Sequence, residues 1–372
     1  MKNGNGNGQL AIMCLRGFED RAEMVSKHVA EKTKDKDTKY LVDIKHVRFS
    51  NGEGKLQILE PVRGKDVFII ADTSNYSCTY RMFGYENRMS PDDHFQDIKR
   101  AVSAINGRAK RITVIMPLLY ASRQDRRRER ESLDCAIALQ ELVRLGVTNI
   151  LSFDIHAPGV QNAIPNNTFD NILPSYAILD RFIADECDNI DKDKMIIISP
   201  DLGGTERAIG YADKLGLDMG LTYKRRDYSI IENGKNPVVE FAYLGRNVNG
   251  RSCVIVDDTI ASGGTMIETA RKLHAKGAKD ISIITSFALF NDGVAEFDKL
   301  HEEGVLKSVY STNLSYVPEE IRKSAWYKEV DLTSFIARVI VTLNKGESMT
   351  TVIDSKERIA RLLSEWKAKK TC

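Results

Sequence analysis

Short runs of apolar and β-branched residues recur along this chain, and helical patterns separate several of them. The runs are at residues 10–15, 67–70, 112–116, 150–153, 195–198, 253–256 and 281–284. Their length and composition are typical of strands buried on both faces. Between two of them, Leu133, Ile137, Leu142 and Leu145 are spaced for one helix face, and Gly146 would end that helix. This alternation predicts α/β domains on mostly parallel sheets flanked by helices.

Two segments repeat one pattern, which favours two similar domains. Residues 142–158 and 273–289 each carry a leucine, a helix-ending glycine and an apolar strand in similar register. A chain of 372 residues is also long for a single core. The predicted division is a flexible tail at 1–9, an N-terminal domain at 10–178, a C-terminal domain at 179–350 and an extension at 351–372. Residues 72–95 lack a clean period and are expected to form an extended loop or insertion.

Composition restricts the classes of partner. The chain has 54 basic and 52 acidic residues, so a formal charge of +2 gives no case for nucleic acid as a partner. Its six cysteines are scattered without a CxxC pair, which favours reduced thiols and a cytoplasmic location. The polar start of the chain lacks the apolar region of a signal peptide, and no stretch approaches the roughly 18 apolar residues of a membrane helix. We expect a soluble protein with a local anion site and no membrane partner.

The most specific segment is residues 253–278. An apolar strand leads into Asp257 and Asp258, and a short loop then precedes a helix. The loop and helix start contain Ser262, Gly263, Gly264 and Thr265. Backbone N–H groups of such a turn converge on an anion, and glycine leaves room for a phosphate. The two carboxylates would accept hydrogen bonds from sugar hydroxyls. An ordinary strand-to-helix turn is the alternative, and the complete order of these residue types favours a phosphate site.

The segment VIVDDTIASGGT resembles the ribose-5-phosphate loop of the phosphoribosyltransferase superfamily. Further segments resemble the ribose-phosphate pyrophosphokinase family within it, namely RFSNGE, YASRQD, FDIHAP, SPDLGGTERA and YKRR. The resemblance extends over roughly residues 10–350. It implies two phosphoribosyltransferase-like domains, with ATP on the N-terminal side and the sugar phosphate held by the C-terminal domain.

The resemblance assigns ATP to two polar segments. By that likeness the ATP-binding residues are Phe49, Asn51 and Glu53 for the adenine, across a subunit contact, and Arg123 and Gln124. The alternatives are a hairpin with a solvated Asn-Gly turn for the first segment and a solvated helix start for the arginine-rich second one. Ser122 is an extra residue relative to the family pattern. This departure leaves the details of the triphosphate contacts open.

Metal and catalytic residues are also implied by the resemblance. His156 and Asp201 each follow an apolar strand and would bind Mg²⁺. Lys224 and Arg226 match the family's mobile catalytic Lys-x-Arg, and the polar residues 227–236 follow as a lid should. A lysine point charge and a planar arginine fork would neutralise charge growing on the transferred group. The alternatives are a structural histidine and a solvated basic strand edge.

The implied reaction moves the β,γ-diphosphoryl group of ATP to the C1 hydroxyl of ribose 5-phosphate. It yields phosphoribosyl pyrophosphate and AMP for nucleotide biosynthesis. Such transfers depend on in-line positioning and charge neutralisation, so Mg²⁺ is expected and a phospho-enzyme is not. The resemblance also implies a homo-oligomer, hexameric or built from dimers. Two alternatives are a phosphoribosyltransferase that consumes phosphoribosyl pyrophosphate and a non-catalytic regulatory paralogue.

Overall fold

The computed structural model describes residues 7–127, 129–226, 238–353 and 356–370. The chain forms two compact units. Unit 1 comprises Met1–Pro174, Leu314–Tyr316 and Asp331–Asp354, and unit 2 comprises Ser175–Asn313, Val317–Val330 and Ser355–Cys372. Each unit contains its own sheet and its own buried apolar core. The predicted α/β fold is therefore confirmed.

Strands and helices alternate along both units. The strands are β1 (Leu10–Cys14), β2 (Ile44–Arg48), β3 (Gly54–Ile58), β4 (Asp66–Ile70), β5 (Thr79–Met82), β6 (Tyr85–Arg88), β7 (Arg111–Ile115), β8 (Asn149–Phe153), β9 (Thr168–Ile172), β10 (Met195–Ser199), β11 (Asp218–Arg226), β12 (Val238–Leu244), β13 (Ser252–Ile260), β14 (Asp280–Ala288), β15 (Leu306–Thr312) and β16 (Tyr327–Val330). The helices are α1 (Glu19–Thr33), α2 (Pro91–Ile105), α3 (Asp134–Arg144), α4 (Ser175–Glu186), α5 (Thr205–Leu215), α6 (Gly264–Ala275), α7 (Ala295–Glu302), α8 (Glu319–Arg322), α9 (Thr333–Lys345), α10 (Thr350–Ile353) and α11 (Lys356–Lys370), with 3-10 turns at Pro158–Ala163 and Cys187–Asn189. Within the described ranges, a helix both long enough and apolar enough to cross a membrane does not occur.

Unit 1 is built on a five-stranded sheet in the order β1-β4-β7-β8-β9. All neighbouring strands in it are parallel. The four apolar runs predicted in this part of the chain each form one of its strands. Every residue of β4 is buried, because helices cover a parallel sheet on both faces.

Helix α9 belongs to unit 1 although it lies late in the chain. It packs on α1. Leu332, Ile336, Val339 and Ile340 are buried there, and Phe335 is half-buried. The predicted division placed this helix in a domain at 179–350. The difference arises because contact between residues far apart in sequence, which no local pattern contains, decides where the helix packs.

Helix α3 forms where predicted but buries a partly different face. Cys135, Ala138 and Leu142 are buried, whereas Ile137 is 48% exposed and Leu145 is 44% exposed. The buried residues follow the i, i+3, i+7 spacing of one helical stripe. Of the four predicted positions, Leu142 is buried and Leu133 is half-buried, so the predicted face was right only in part. Two apolar stripes run along this helix, and packing against the sheet selects between them.

Residues 72–95 are not an extended loop, and that part of the expectation was wrong. Strands β5 and β6 pair as an antiparallel hairpin through the two-residue turn Phe83-Gly84. Helix α2 then begins after Ser90, whose side chain forms a capping box with Asp93. The strands are only four residues long, and the turn begins with phenylalanine instead of the expected asparagine or glycine. These two features conceal the hairpin from sequence periodicity.

Unit 2 is built on a seven-stranded sheet in the order β12-β11-β10-β13-β14-β15-β16. Its pairs are parallel except for β11 with β12. The predicted runs at 195–198, 253–256 and 281–284 all form strands. Strand β13 was expected to end at Asp257-Asp258, but it continues to Ile260 because Thr259 and Ile260 pair with β14.

The repeated pattern in the sequence corresponds to the same backbone turn in both units. Helix α3 leads through Gly146 into β8, and α6 leads through Gly277 into β14. Both glycines have positive φ, +100° and +88°. The Gly146 N–H donates to the Val143 carbonyl at 2.9 Å, and the Gly277 N–H donates to the His274 carbonyl at 2.8 Å. Each glycine therefore ends its helix in the same way.

Candidate active site

In unit 2, three of the predicted site segments lie at one edge of the sheet. Strands β11, β10 and β13 are parallel neighbours, with Ile198 of β10 aligned with Gly220 of β11 and with Ile255 of β13. Their carboxyl ends therefore share an edge, where ligands of open α/β sheets usually bind. Asp201 follows β10, and the loop predicted to hold the sugar phosphate includes the end of β13. Lys224 and Arg226 are among the last three residues of β11. The predicted lid at 227–236 lies outside the described residues.

The connection from β13 to α6 is compact and centres on Gly263. This residue caps α6 with φ +82° and ψ −10°. A Cβ there would lie 2.5 Å from the Phe297 ring, so both conformation and packing require glycine. At exposed Gly264 a Cβ would meet only Ser262 Oγ within 4 Å, at 3.8 Å. The open space is therefore at Gly264, next to the N–H groups of the first turn that helix geometry leaves without an intrahelical acceptor, which is the arrangement that binds anions.

The acidic pair beside this loop lies in a largely buried setting. Asp258 is 7% exposed, and its N–H donates to Asp257 Oδ1 at 2.9 Å. The Thr285 hydroxyl donates to the Asp258 carbonyl at 2.8 Å. Burial and, next, the neighbouring Asp258 carboxylate raise the pKa of Asp257 to about 8. Hydrogen-bond donors from a ligand would favour the charged form of this pair.

Arg207 is a site residue that the sequence analysis missed. It lies in the first turn of α5, and its Nη1 is 3.7 Å from Asp257 Oδ1. Its positive charge opposes the rise in the pKa of Asp257. Helix α5 starts against β13, since a Cβ on Gly204 would be 3.7 Å from the Val256 carbonyl oxygen. The available signal was the position of Arg207 just after the SPDLGG turn, which follows β10, the strand that pairs with β13.

Asp201 is held at the end of β10 by its own loop. Its Oδ1 accepts the Gly204 N–H at 3.0 Å, and its carbonyl accepts the Ser199 hydroxyl at 2.7 Å. The residue is exposed. Mg²⁺ prefers oxygen ligands and is commonly held by one or two carboxylates together with substrate phosphates. An anchored, solvent-facing carboxylate beside a phosphate cradle fits that ion.

In unit 1, two predicted segments lie at the carboxyl ends of the neighbouring strands β7 and β8. Arg123 and Gln124 follow β7, His156 follows β8, and all three are exposed. The chain turns sharply in both places, at Ala121 with φ +54° and at Asp154 with φ +40°. Positive φ is unfavourable for residues with a side chain and often accompanies functional loops. Unit 1 therefore presents one loop with an arginine and one loop with a histidine at the same sheet edge.

The third predicted segment of unit 1 is the tip of the β2–β3 hairpin. The Phe49 N–H donates to the Glu53 carbonyl at 2.8 Å, and the Glu53 N–H donates to Asn51 Oδ1 at 3.1 Å. The Phe49 side chain is 49% exposed. The Asn-Gly hairpin turn weighed from the sequence is thus present, and it leaves the Phe49 ring available to a planar ligand.

The fold and the strand-end loops define a two-domain protein of the phosphoribosyltransferase type. Models for the N-terminal domain of ribose phosphate pyrophosphokinase and for the phosphoribosyl transferase domain match residues 12–146 and 166–314. The ribose-phosphate pyrophosphokinase of Vibrio cholerae is 30% identical over 311 residues, covering 82% of this chain and 90% of the relative. That of Staphylococcus saprophyticus is 29% identical over 350 residues, covering 94% and 98%. The chain therefore belongs to the ribose-phosphate pyrophosphokinase family.

A solved structure has the same fold. The crystal structure of phosphoribosylpyrophosphate synthetase from Mycobacterium smegmatis superposes with a TM-score of 0.72 at 23% identity, covering 90% of this chain and 98% of that chain. The family resemblance predicted from the sequence motifs is confirmed, and so are the two phosphoribosyltransferase-type domains.

Proposed function

We propose that this protein transfers the β,γ-diphosphoryl group of ATP to the C1 hydroxyl of ribose 5-phosphate. The products are 5-phosphoribosyl 1-pyrophosphate and AMP. The observation that carries the proposal is the open, glycine-started first turn of α6 beside a largely buried acidic pair, at the sheet edge where β11 and β10 also end. Membership in the ribose-phosphate pyrophosphokinase family supports it.

The sugar phosphate would bind across the end of β13 and the start of α6. The proposed contacts are Asp257, Asp258, Ser262, Gly263, Gly264 and Thr265. The 5-phosphate would accept hydrogen bonds from the backbone N–H groups and hydroxyls of the loop, and sugar hydroxyls would donate to the carboxylates. Arg207 lowers the pKa of Asp257, and donors from the bound sugar would shift this carboxyl further toward its charged, accepting form.

ATP would bind through the loops of unit 1. The proposed residues are Phe49, Asn51 and Glu53 for the adenine and Arg123 and Gln124 for the phosphates. Asp201 would hold a second cation and contact the ribose, and His156 would hold the Mg²⁺ that accompanies ATP. When bound, this ion withdraws charge from the phosphoryl oxygens. Anchored Asp201 and exposed His156 support this assignment.

In the proposed reaction the C1 oxygen attacks the β-phosphorus of ATP. A bond forms between the C1 oxygen and the β-phosphorus. The bond between the β-phosphorus and the α,β-bridging oxygen breaks, and AMP leaves. The hydroxyl proton passes to solvent or to a basic group at the site. Lys224 and Arg226 would neutralise charge on the transferred group, which is the main requirement of a phosphoryl transfer.

We further propose that the enzyme works as a homo-oligomer in the cytoplasm. The exposed Phe49 at a hairpin tip supports an adenine site that a neighbouring chain completes. The five cysteines in the described ranges are unpaired, which fits a reducing compartment. No observation favours nucleic acid as a partner.

The test is to supply ATP, Mg²⁺ and ribose 5-phosphate to the purified protein and to follow AMP by chromatography. We expect one AMP per phosphoribosyl pyrophosphate, and none when the sugar phosphate is omitted or the cation is chelated. Absence of AMP over varied phosphate and cation concentrations would reject the proposal in favour of a regulatory paralogue. Pyrophosphate release that requires a nucleobase would instead indicate a phosphoribosyltransferase.

A further inference from the structure

The tip of the β5–β6 hairpin contains a residue that its backbone geometry disfavours. Its two-residue turn has positive φ at both positions, +51° at Phe83 and +85° at Gly84. Turns of this kind are usually Asn-Gly, because asparagine tolerates the left-handed region and bulky residues do not. Phenylalanine at position 83 therefore works against formation of the hairpin that contains it.

The Phe83 side chain makes no contribution to the core that would offset this strain. It is 72% exposed, and Tyr85 on the next strand is 76% exposed. They are among the most exposed large apolar side chains in the described ranges. Residues that break a local folding rule without a packing gain are concentrated at functional sites.

The position of Phe83 suggests its ligand. Its N–H donates to the Ser50 carbonyl at 2.8 Å, so the turn of this hairpin is joined to the turn that carries Phe49. The two tips are closely packed, since a Cβ on Gly52 would lie 2.5 Å from Met82 Sδ. Two hairpins thus hold two exposed aromatic residues on adjoining turns.

Both hairpins are also anchored through Arg48, which lies next to the tip of the β2–β3 hairpin. The Arg48 guanidinium lies 4.7 Å from the centre of the Tyr80 ring, and Arg48 forms ion pairs with Asp93 and Asp97 of α2 at 3.4 Å and 3.3 Å. Arg48 side-chain exposure is 7%, so these contacts fix the direction of both tips. A fixed pair of tips can present aromatic rings to a ligand without first ordering them.

We propose that Phe83 is a second aromatic contact for the purine base of the nucleotide donor, beside Phe49. The inference rests on the proposed function and deepens it. A flat base needs only one or two ring faces, and stacking on aromatic side chains is a common way to bind it. A protein partner needs about 800 Å² of surface on each side. Exposed charges at Arg81 and Glu86 interrupt the apolar surface of this tip, which favours the base over a second copy of the chain.

The test uses Phe83→Asn in the full-length protein, because asparagine suits this turn and should keep or improve the hairpin. MgATP is titrated calorimetrically without sugar phosphate. We expect about tenfold weaker binding, the scale of one lost base–aromatic stack, with an unchanged KM for ribose 5-phosphate and an unchanged or higher unfolding midpoint. Phe83→Tyr keeps an aromatic ring at this position and should bind MgATP as the unaltered protein does. Leu59→Asn changes an exposed apolar residue at the other end of the β2–β3 hairpin and should have no effect.

Unchanged MgATP binding by Phe83→Asn would overturn the inference. So would a loss of binding that accompanies dissociation of the assembly in sedimentation velocity, because Phe83 would then contact a second copy of the chain. The proposed function is tested separately by AMP formation in the unaltered protein. An active protein with nucleotide binding insensitive to Phe83 would refute only the aromatic contact.

Discussion

The β7–α3 connection of unit 1 and the β13–α6 connection of unit 2 occupy equivalent places but are built in opposite ways. Each helix returns through a positive-φ glycine to the next strand. The Thr148 N–H donates to the Ile112 carbonyl and the Lys279 N–H donates to the Arg251 carbonyl, at 3.0 Å and 2.8 Å. Yet residues 116–133 separate β7 from α3, whereas only 261–263 separate β13 from α6.

The difference shows how one scaffold can serve two kinds of anion. The short connection fixes the backbone through Gly263 against Phe297, so in the proposed function its N–H groups would form a small cradle for one phosphate. The long connection carries exposed arginines, whose side chains can follow an extended triphosphate. Changes to the backbone should therefore damage the first site, and changes of charge should damage the second.

Neither connection contains the proposed catalytic residues, which lie on β11. A substitution in β11 is therefore expected to have the largest effect on turnover. Lys224→Ala should lower kcat by a factor on the order of 10² or more, because a lost charge contact in the transition state costs several kcal/mol. The KM for ribose 5-phosphate should change little. Steady-state kinetics checks this, with Lys194→Ala, an exposed lysine just before β10, as the control. Equal losses of sugar binding and turnover would contradict a transition-state role.

The short connection should be sensitive to a single methyl group. Gly263→Ala places a Cβ against the Phe297 ring at φ +82°, and we expect about 1–3 kcal/mol of destabilisation from the backbone strain. Affinity for ribose 5-phosphate should fall about tenfold or more as the cradle shifts. Both tryptophans, Trp326 and Trp366, lie in unit 2, so their fluorescence reports its unfolding.

The matched control for this change is Gly146→Ala in unit 1. Gly146 also has positive φ, but a Cβ there would meet nothing within 4 Å. The Gly146→Ala variant should lose stability through backbone strain alone and keep its affinity for ribose 5-phosphate. Equal effects of both variants on sugar binding would show that the contact with Phe297 does not shape the cradle.

Removing a charge from the long connection should weaken nucleotide binding without lowering the stability of the fold. Arg123→Ala removes an exposed guanidinium, and the loss of a hydrogen bond from a charged group, about 1.5–3 kcal/mol, should weaken MgATP binding by roughly 10-fold to 100-fold. Calorimetric titration measures this. Arg144→Ala, at the exposed end of α3, should bind MgATP as the unaltered protein does. A fall in the unfolding midpoint of Arg123→Ala would instead indicate a structural arginine.

The smallest expected effect is a pH-dependent change in stability at the acidic pair. The pKa of Asp257 is raised from 3.8 to about 8, so its proton is retained on folding between these values. The contribution of this retained proton to the free energy of unfolding is complete below pH 3.8 and is lost as pH rises through 8. Asp257→Asn should therefore raise the unfolding midpoint at pH 8.5, by roughly 3–8 °C for about 1–3 kcal/mol. The gain should shrink toward pH 5, and a gain independent of pH would argue against titration of Asp257.

Much of the fold was predictable because it depends on local patterns. The apolar runs mark seven strands of the two sheets, namely β1, β4, β7, β8, β10, β13 and β14, and the glycines at 146 and 277 mark two helix ends. The acidic pair and the loop through Thr265 stand together in the sequence, so their shared strand end was visible before any contact was known. The family followed from these motifs as well.

The sequence by itself determined where seven strands of the two sheets, the helix ends at Gly146 and Gly277 and the loop through Thr265 lie, since periodicity and turn chemistry act over a few residues. Only the tertiary structure decided which stripe of α3 is buried, that Arg207 approaches Asp257, and that the Phe83 turn joins the turn after Phe49. These features depend on packing between residues distant in sequence. Many distant pairings suit one local pattern, and the free energy of the whole fold selects among them.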